Sequence, residues 1–386
     1  MKRIKITFVF FILVIILSNK VFASDINTQE ILESQKQNFG ISTFLKEAQK
    51  YSGDFLKDVD VSEMLNNAIT GKIDNNIIYN KVLNIFGTEI KQSIKTLISI
   101  LIIVVIHSIL KSISDNLDNG NIAKIIYYAQ YIIIISIIMV NFTDIISLIK
   151  QTASNLVGFM NALVPILITL MTYTGSIVTG GLVQPIILFM INFIGNIIQT
   201  MLIPFVLIIA ALSIVSKISD KIQIAKVTKF FKSSIVWFLG IMLTIFVGVL
   251  SLEGSLSSSI DGITAKTAKA AVSSIIPVVG KILGDAVDSV LGCGVILKNA
   301  LGVVGIIVII GICIMPVVKL GVLTVIYNLA AAIIEPVSDE KIVKLLEEMG
   351  GVFKLLFGIL CALSAMLIIG VTLVVKISNS GMMYKW

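Results

Sequence analysis

Long apolar runs separated by short polar breaks dominate the pattern of the chain. Residues 93–110, 125–149, 156–173, 234–252, 299–318, 320–334 and 352–375 are each rich in isoleucine, leucine and valine and poor in charge. A helix needs about 20 such residues to cross a hydrocarbon core of ~30 Å, so most of these runs predict a membrane span. Residues 320–334 are short for an independent crossing. Residues 183–215 are too long for one untilted span and are interrupted by Pro185 and Pro204. That pattern predicts two shorter helices or one broken helix. Backbone groups in lipid must bond one another, which leaves helices or closed barrels. Barrel strands alternate in polarity over about ten residues, and these runs are continuous. The fold class that follows is all-α, a polytopic transmembrane helical bundle.

The N-terminus has a different pattern. Lys2, Arg3 and Lys5 precede an apolar stretch over 6–17, and Val21-Phe22-Ala23 offers a cleavage site. Residues 1–23 therefore read as a secretory signal peptide, favoured over an uncleaved anchor because the apolar stretch is short for a span. Residues 24–92 form the one long polar stretch, an extracytoplasmic amphipathic helical segment. Phe44, Leu45 and Ala48 recur at helical intervals up to a break at Ser52-Gly53. Asp60-Val61-Ser62-Glu63 is a helix start, with Met64, Leu65, Ala68 and Ile69 on one face and Gly71 as its stop. Some 70 residues make a small core, so these helices are expected to lean on the membrane or on partners.

Composition sharpens the picture. Of 386 residues, 56% are hydrophobic and 14% charged, where soluble domains carry about 25% charged residues. Mean hydropathy is +1.01. Four of the seven net positive charges lie at Lys2, Arg3, Lys5 and Lys20, and Arg3 is the sole arginine. That leaves no clustered basic face for nucleic acid and no guanidinium for bidentate anion recognition downstream of the signal. Cys293, Cys313 and Cys361 are widely spaced in apolar surroundings, which suits small buried side chains better than a disulfide or zinc framework. Lys217, Lys221, Lys226, Lys229 and Lys232 crowd residues 216–233 against Asp220 alone. The positive-inside rule puts that stretch in the cytosol. An exported N-terminus followed by four crossings would put it outside, and splitting 183–215 into two crossings removes the conflict.

Residues 253–298 divide a first transmembrane region (93–252) from a C-terminal one (299–386) and depart from a plain span. A small-residue amphipathic stretch at 261–271 leads into 275–297, which carries Lys281, Asp285 and Asp288. Lys281 and Asp285 are four residues apart and can pair on one helix face. Charge at bilayer depth usually faces a protein interior or a wet cavity, which suggests a re-entrant or pore-lining element. An amphipathic helix lying along the interface explains the same residues. Asn192, Asn196 and Gln199 share one helix face. They are candidates to line a polar path or to bond between neighbouring helices. His107, in the first span, suits a packed position better than a proton relay, since it has no sequence partner.

No nucleotide loop, HExxH, GxSxG or GxGxxG turn is present, so no catalytic, cofactor or metal residue is assigned and no cofactor is expected. The most distinctive stretch is DGITAKTAKAAVSSIIPVVGKILGDAVDSVLGCGVILKNALGVVGI, followed by MPVVKL. It resembles the stage III sporulation protein AE family of endospore-forming bacteria, and the signal, polar segment and polytopic body agree. The resemblance implies a non-enzymatic subunit of the mother cell-to-forespore channel, or feeding tube, in the mother-cell membrane that becomes the outer forespore membrane. It implies partners in the same complex, including a separate ATPase and a forespore membrane protein, and places 24–92 in the intermembrane space. A secondary transporter acting alone and a non-conducting scaffold are the alternatives.

Overall fold

The computed structural model describes residues 32–36, 39–57, 59–72, 75–116, 120–218, 224–275 and 279–383. Side chains are described for these except at 54, 75–78, 107, 111–116, 120–124, 218, 225, 253–275, 279–288 and 378–383. The signal segment at 1–23 lies outside the described residues, and among those described there is no strand. The helices are α1 (Ile41–Ser52), α2 (Val61–Thr70), α3 (Asn75–Asn116), α4 (Gly120–Tyr173), α5 (Ile177–Ile197), α6 (Ile203–Ile218), α7 (Ala225–Ile275), α8 (Val279–Ile334) and α9 (Glu340–Met383).

The N-terminal helices begin and end on local chemistry. Asp60 caps α2, its Oδ1 accepting the Ser62 N–H at 2.8 Å. Gly71 ends it with φ 71°, a left-handed conformation that glycine adopts without strain, and its N–H returns to Ala68 and Asn67. α1 stops at Gly53, where a single 3-10 turn, Gly53–Phe55, follows. The amphipathic faces of these helices cover the chain's own long helices rather than a membrane or a partner. Phe44, fully buried, lies 6.1 Å from Phe159 of α4. Phe55 packs against Gly311 of α8, and Lys81 Nζ donates to the Phe55 carbonyl at 2.8 Å.

Six helical stretches among the described residues are long and apolar enough to cross a membrane: Tyr79–Leu110, Ile125–Tyr173, Ile177–Lys217, Lys226–Leu252, Ser289–Ile334 and Glu340–Ile377. Two boundaries differ from the sequence expectation, and at a third the broken helix replaces the two crossings preferred there. Residues 125–149 and 156–173 form one helix, because the intervening Lys150-Gln151-Thr152-Ala153-Ser154-Asn155 holds no helix breaker and its residues continue the same faces. Residues 299–318 and 320–334 are likewise continuous in α8, with Pro316 inside. Residues 183–215 do not fold back as two crossings. A π turn at Ile198–Leu202 joins α5 to α6, with the Ile203 N–H bonding the Ile198 carbonyl five residues back. Pro204 follows directly, lacks an N–H and would crowd the Thr200 carbonyl in an ideal helix, so the wider turn relieves it.

α8 and α9 form the inner pair, and α9 packs against α4, α5, α6, α7 and α8. Its buried Ile342, Leu345, Met349, Val352, Leu356, Ile359, Leu363 and Met366 alternate steps of three and four, the spacing of a knobs-into-holes seam. α8 runs antiparallel to it: Tyr327 meets Phe353 at 5.0 Å near one end, and Gly302 meets Val375 near the other. α3 lies on α8, with Ile85 and Leu97 against Val318, Val322 and Ile326. One end of the bundle gathers the start of α4, the end of α6 and the start of α9. There Tyr127 Oη donates to the Lys217 carbonyl at 3.1 Å, and Lys217 Nζ pairs with Glu348 at 2.8 Å. The opposite end gathers the α4–α5 turn, the start of α8 and the first N-terminal residues. There Phe39 sits edge-on to Tyr173 at 4.8 Å, and Gln35 Nε2 donates to the Val290 carbonyl at 3.1 Å.

Candidate functional site: a polar face on an apolar bundle

The exposed face of α4 changes character partway along. Over its first half this face carries large apolar side chains, Ile125, Tyr128, Ile132, Ile133, Met139 and Val140. From Thr143 onward the same face is polar: Thr143, Asp144, Ser147, Lys150, Gln151, Ser154, Asn161 and Thr169 are exposed. At about 100° per residue these eight positions fall within roughly a third of the helix circumference. Between Phe142 and Thr172 no large apolar side chain of α4 is exposed, and the apolar residues there face inward, Phe159, Leu163, Leu167 and Leu170 among them. Isoleucine and valine facing outward are at home in lipid. A strip of hydroxyls, amides and charges is not, and is stable against water or against protein.

The strip continues onto α5. Asn161 Nδ2 donates to Asn192 Oδ1 at 3.1 Å, and Asn192 Nδ2 returns the bond to Asn161 Oδ1 at 3.0 Å. Asn192 Nδ2 also reaches the Leu188 carbonyl at 2.7 Å. Asn196, one turn further, is exposed and its carbonyl accepts the Thr200 hydroxyl at 2.7 Å. Gln199 is half-buried within the π turn. The stacked Phe189 and Phe193 rings, centroids 5.6 Å apart, form an apolar flank on α5. Two sequence candidates, Asn192 and Asn196, thus stand on one surface with the α4 strip, and Asn192 is at once exposed and bonded between helices. Lys281, Asp285 and Asp288 lie on the helical backbone of α8, and His107 on that of α3, with side chains outside the described residues.

Other ionisable groups escape sequence reasoning because only folding brings them together. Lys217, Lys232 and Glu348 meet from α6, α7 and α9. Lys217 pairs with Glu348, and the Lys232 ammonium lies beside Gly351, 3.4 Å from where a Cβ would stand. Lys298 is fully buried in α8. Glu89 of α3 is buried facing Lys319, and its Oε2 has no hydrogen-bond partner. Among the described residues no three His, Cys, Asp or Glu side chains converge to hold a metal ion. All three cysteines are free.

Six long apolar helical stretches packed into one bundle define a multi-pass helical membrane protein. Within that class, residues 59–378 match the family of stage III sporulation protein AE, and the chain belongs to that family, which ties it to sporulation. It is similar to stage III sporulation protein AE of Bacillus subtilis (strain 168), at 29% identity over 297 residues, covering 77% of this chain and 74% of that protein. No solved structure matches.

Proposed function

We propose that the protein is a membrane-embedded subunit of the mother cell-to-forespore channel complex that endospore formation requires. It would sit in the mother-cell membrane that becomes the outer forespore membrane. Its partners would be other membrane proteins of that complex, including a separate ATPase and a forespore membrane protein. The observation that carries the reading is the change of α4's exposed face from apolar to polar, extended by Asn192 and Asn196 on α5. A face held in lipid has no use for such a surface, whereas a conduit subunit needs one.

The order of the helices supports an extracytoplasmic N-terminal segment, facing the intermembrane space. From outside, α3 enters, α4 leaves and the α5–α6 rod enters again. Three crossings bring the chain to the lysine-rich stretch from Lys217 to Lys232 on the cytosolic side, as the positive-inside rule requires. The conflict that four crossings would create disappears because α4 is a single helix.

Single cysteines along α4 from Thr143 to Thr169, and at Asn192 and Asn196, test the conduit. They are introduced with Cys293, Cys313 and Cys361 replaced, and probed in sporulating cells with a membrane-impermeant thiol reagent. Labelling with helical periodicity on the polar face supports a wet surface, and uniform protection would leave a scaffold. A null strain is expected to arrest after engulfment, and normal spores from it would refute the role. Substrate flux by the purified protein alone would favour a self-sufficient transporter.

A further inference from the structure

The lysines at the junction of α6, α7 and α9 are surplus to the bundle's own ion pairing. Lys217 and Glu348 satisfy each other at 2.8 Å and are mostly shielded, with 14% and 24% of their side chains exposed. Lys232, half-buried on α7, has no ion pair or hydrogen bond among the described residues. The groups facing it are the like-charged Lys217 of α6 and the already engaged Glu348 of α9. From α4, Tyr131 lies near Glu348, but its hydroxyl is committed to the Ile214 carbonyl at 2.5 Å. Tyr127 is committed to the Lys217 carbonyl. Gly351 leaves an open notch on α9 beside the Lys232 ammonium.

Two further lysines, Lys226 and Lys229, stand exposed on the first turns of α7. With Glu348 engaged by Lys217 and Glu340 by Lys344, Lys226, Lys229 and Lys232 have no ion pair among the described residues. The same stretch presents lipid anchors. Phe230 and Trp237 are 68% and 71% exposed, and Val236 is 60% exposed. Lys226, Phe230 and Trp237 fall at i, i+4 and i+11 on one face, with Lys229, Lys232 and Val236 on the adjoining one. Lysines at a helix start followed by exposed tryptophan, phenylalanine and valine follow the order from headgroup to acyl chain. One turn before Lys217 on α6, the Ser213 hydroxyl is fully buried with no partner.

We propose that this junction is a binding site for the phosphate of an anionic glycerophospholipid. The Lys232 ammonium in the Gly351 notch would be its central contact, Lys226 and Lys229 its outer ones, and Phe230 and Trp237 would pack against the acyl chains. Lipid is the source favoured over free phosphate, because the lysines share their helix faces with exposed aromatic and apolar side chains.

The test uses the full-length protein in neutral detergent, titrated with phosphatidylglycerol or phosphatidylcholine. Native mass spectrometry counts retained lipid, and thermal unfolding reads stabilisation. Phosphatidylglycerol is expected to bind selectively and raise the unfolding temperature. Lys232→Gln is expected to weaken it roughly fivefold, with Lys232→Arg restoring most of the loss. Lys46→Gln, which removes one exposed charge on α1 away from the junction, is expected to leave it unchanged. If Lys232→Gln fails to fold, the doubly substituted Lys226→Gln/Lys229→Gln protein replaces it, since both side chains are exposed. Equal retention of the two lipids, or equal losses from Lys232→Gln and Lys46→Gln, would overturn the site. Complete competition by millimolar inorganic phosphate would overturn the lipid assignment.

Discussion

Two kinds of close contact decide how single residues matter. The reciprocal Asn161–Asn192 amide pair is one. Hydrogen bonds between membrane helices average ~0.6 kcal/mol and reach ~1.7. A double-mutant cycle of Asn161→Ala and Asn192→Ala is therefore expected to show coupling of about 1 kcal/mol in detergent unfolding, and additive single losses would rule the pair out as a stabilising contact. The other is glycine as a seat for an aromatic ring. A Cβ at Gly311 would stand 2.6 Å from Cδ1 of the buried Phe55, a rigid ring that cannot retreat as a flexible chain end would. Gly311→Ala is expected to cost about 1–3 kcal/mol. At Gly248 a Cβ meets nothing within 4 Å, so Gly248→Ala gains only helix propensity, up to ~1 kcal/mol. Thermal unfolding of the two variants should shift in opposite directions, and a shared direction would contradict the Phe55 contact.

At the scale of elements, the N-terminal helices act as a clamp over α4 and α8. Phe44 and Phe55 seat on Phe159 and Gly311, and Lys81 at the start of the first span holds the Phe55 carbonyl. Truncating a buried phenylalanine to alanine usually costs about 3–5 kcal/mol. Phe44→Ala is therefore expected to free α1 and α2 for limited proteolysis while the long helices stay folded, and unchanged protease resistance would contradict the clamp. The start and stop of α2 were legible in Asp60 and Gly71, and the end of α1 in Gly53, because caps are local chemistry. The docking surface was not, since Gly158 and Gly311 become seats for the Tyr51 and Phe55 rings only when distant helices meet. The length of α4 was obscured by its own polar face: Lys150, Gln151 and Ser154 look like a loop in a hydropathy profile, yet they fall on one side of an unbroken helix. Of the candidate site, Asn192 and Asn196 were visible as an amide face. Asn161 went unnoticed because its partner lies 31 residues away, although the polar spacing from Thr143 to Thr169 carried the signal.

Taken whole, the bundle is longer than a membrane is thick. The 46 residues of Ser289–Ile334 amount to roughly 70 Å of helix, more than twice a hydrocarbon core of ~30 Å. Part of each long helix must therefore meet headgroups, water or protein, and its polar positions show where. Toward the end that holds the α4–α5 turn, α1 and α2 take the place of lipid over α4 and α8. At the opposite end, Lys217, Lys226, Lys229 and Lys232 gather beside the α8–α9 connection. The proposed extracytoplasmic N-terminus and cytosolic lysine-rich end would require an odd number of crossings between them, and α3, α4 and the α5–α6 rod supply three. The orientation has a direct check in a chain whose native cysteines are replaced. Lys46→Cys on exposed α1 is expected to react with an impermeant thiol reagent applied from outside, and Val337→Cys, exposed in the α8–α9 connection, only after the cytosolic face is opened. Reaction of Val337→Cys in sealed cells at the rate of Lys46→Cys would invert or break this order, because the α8–α9 connection shares its end of the bundle with the lysine cluster.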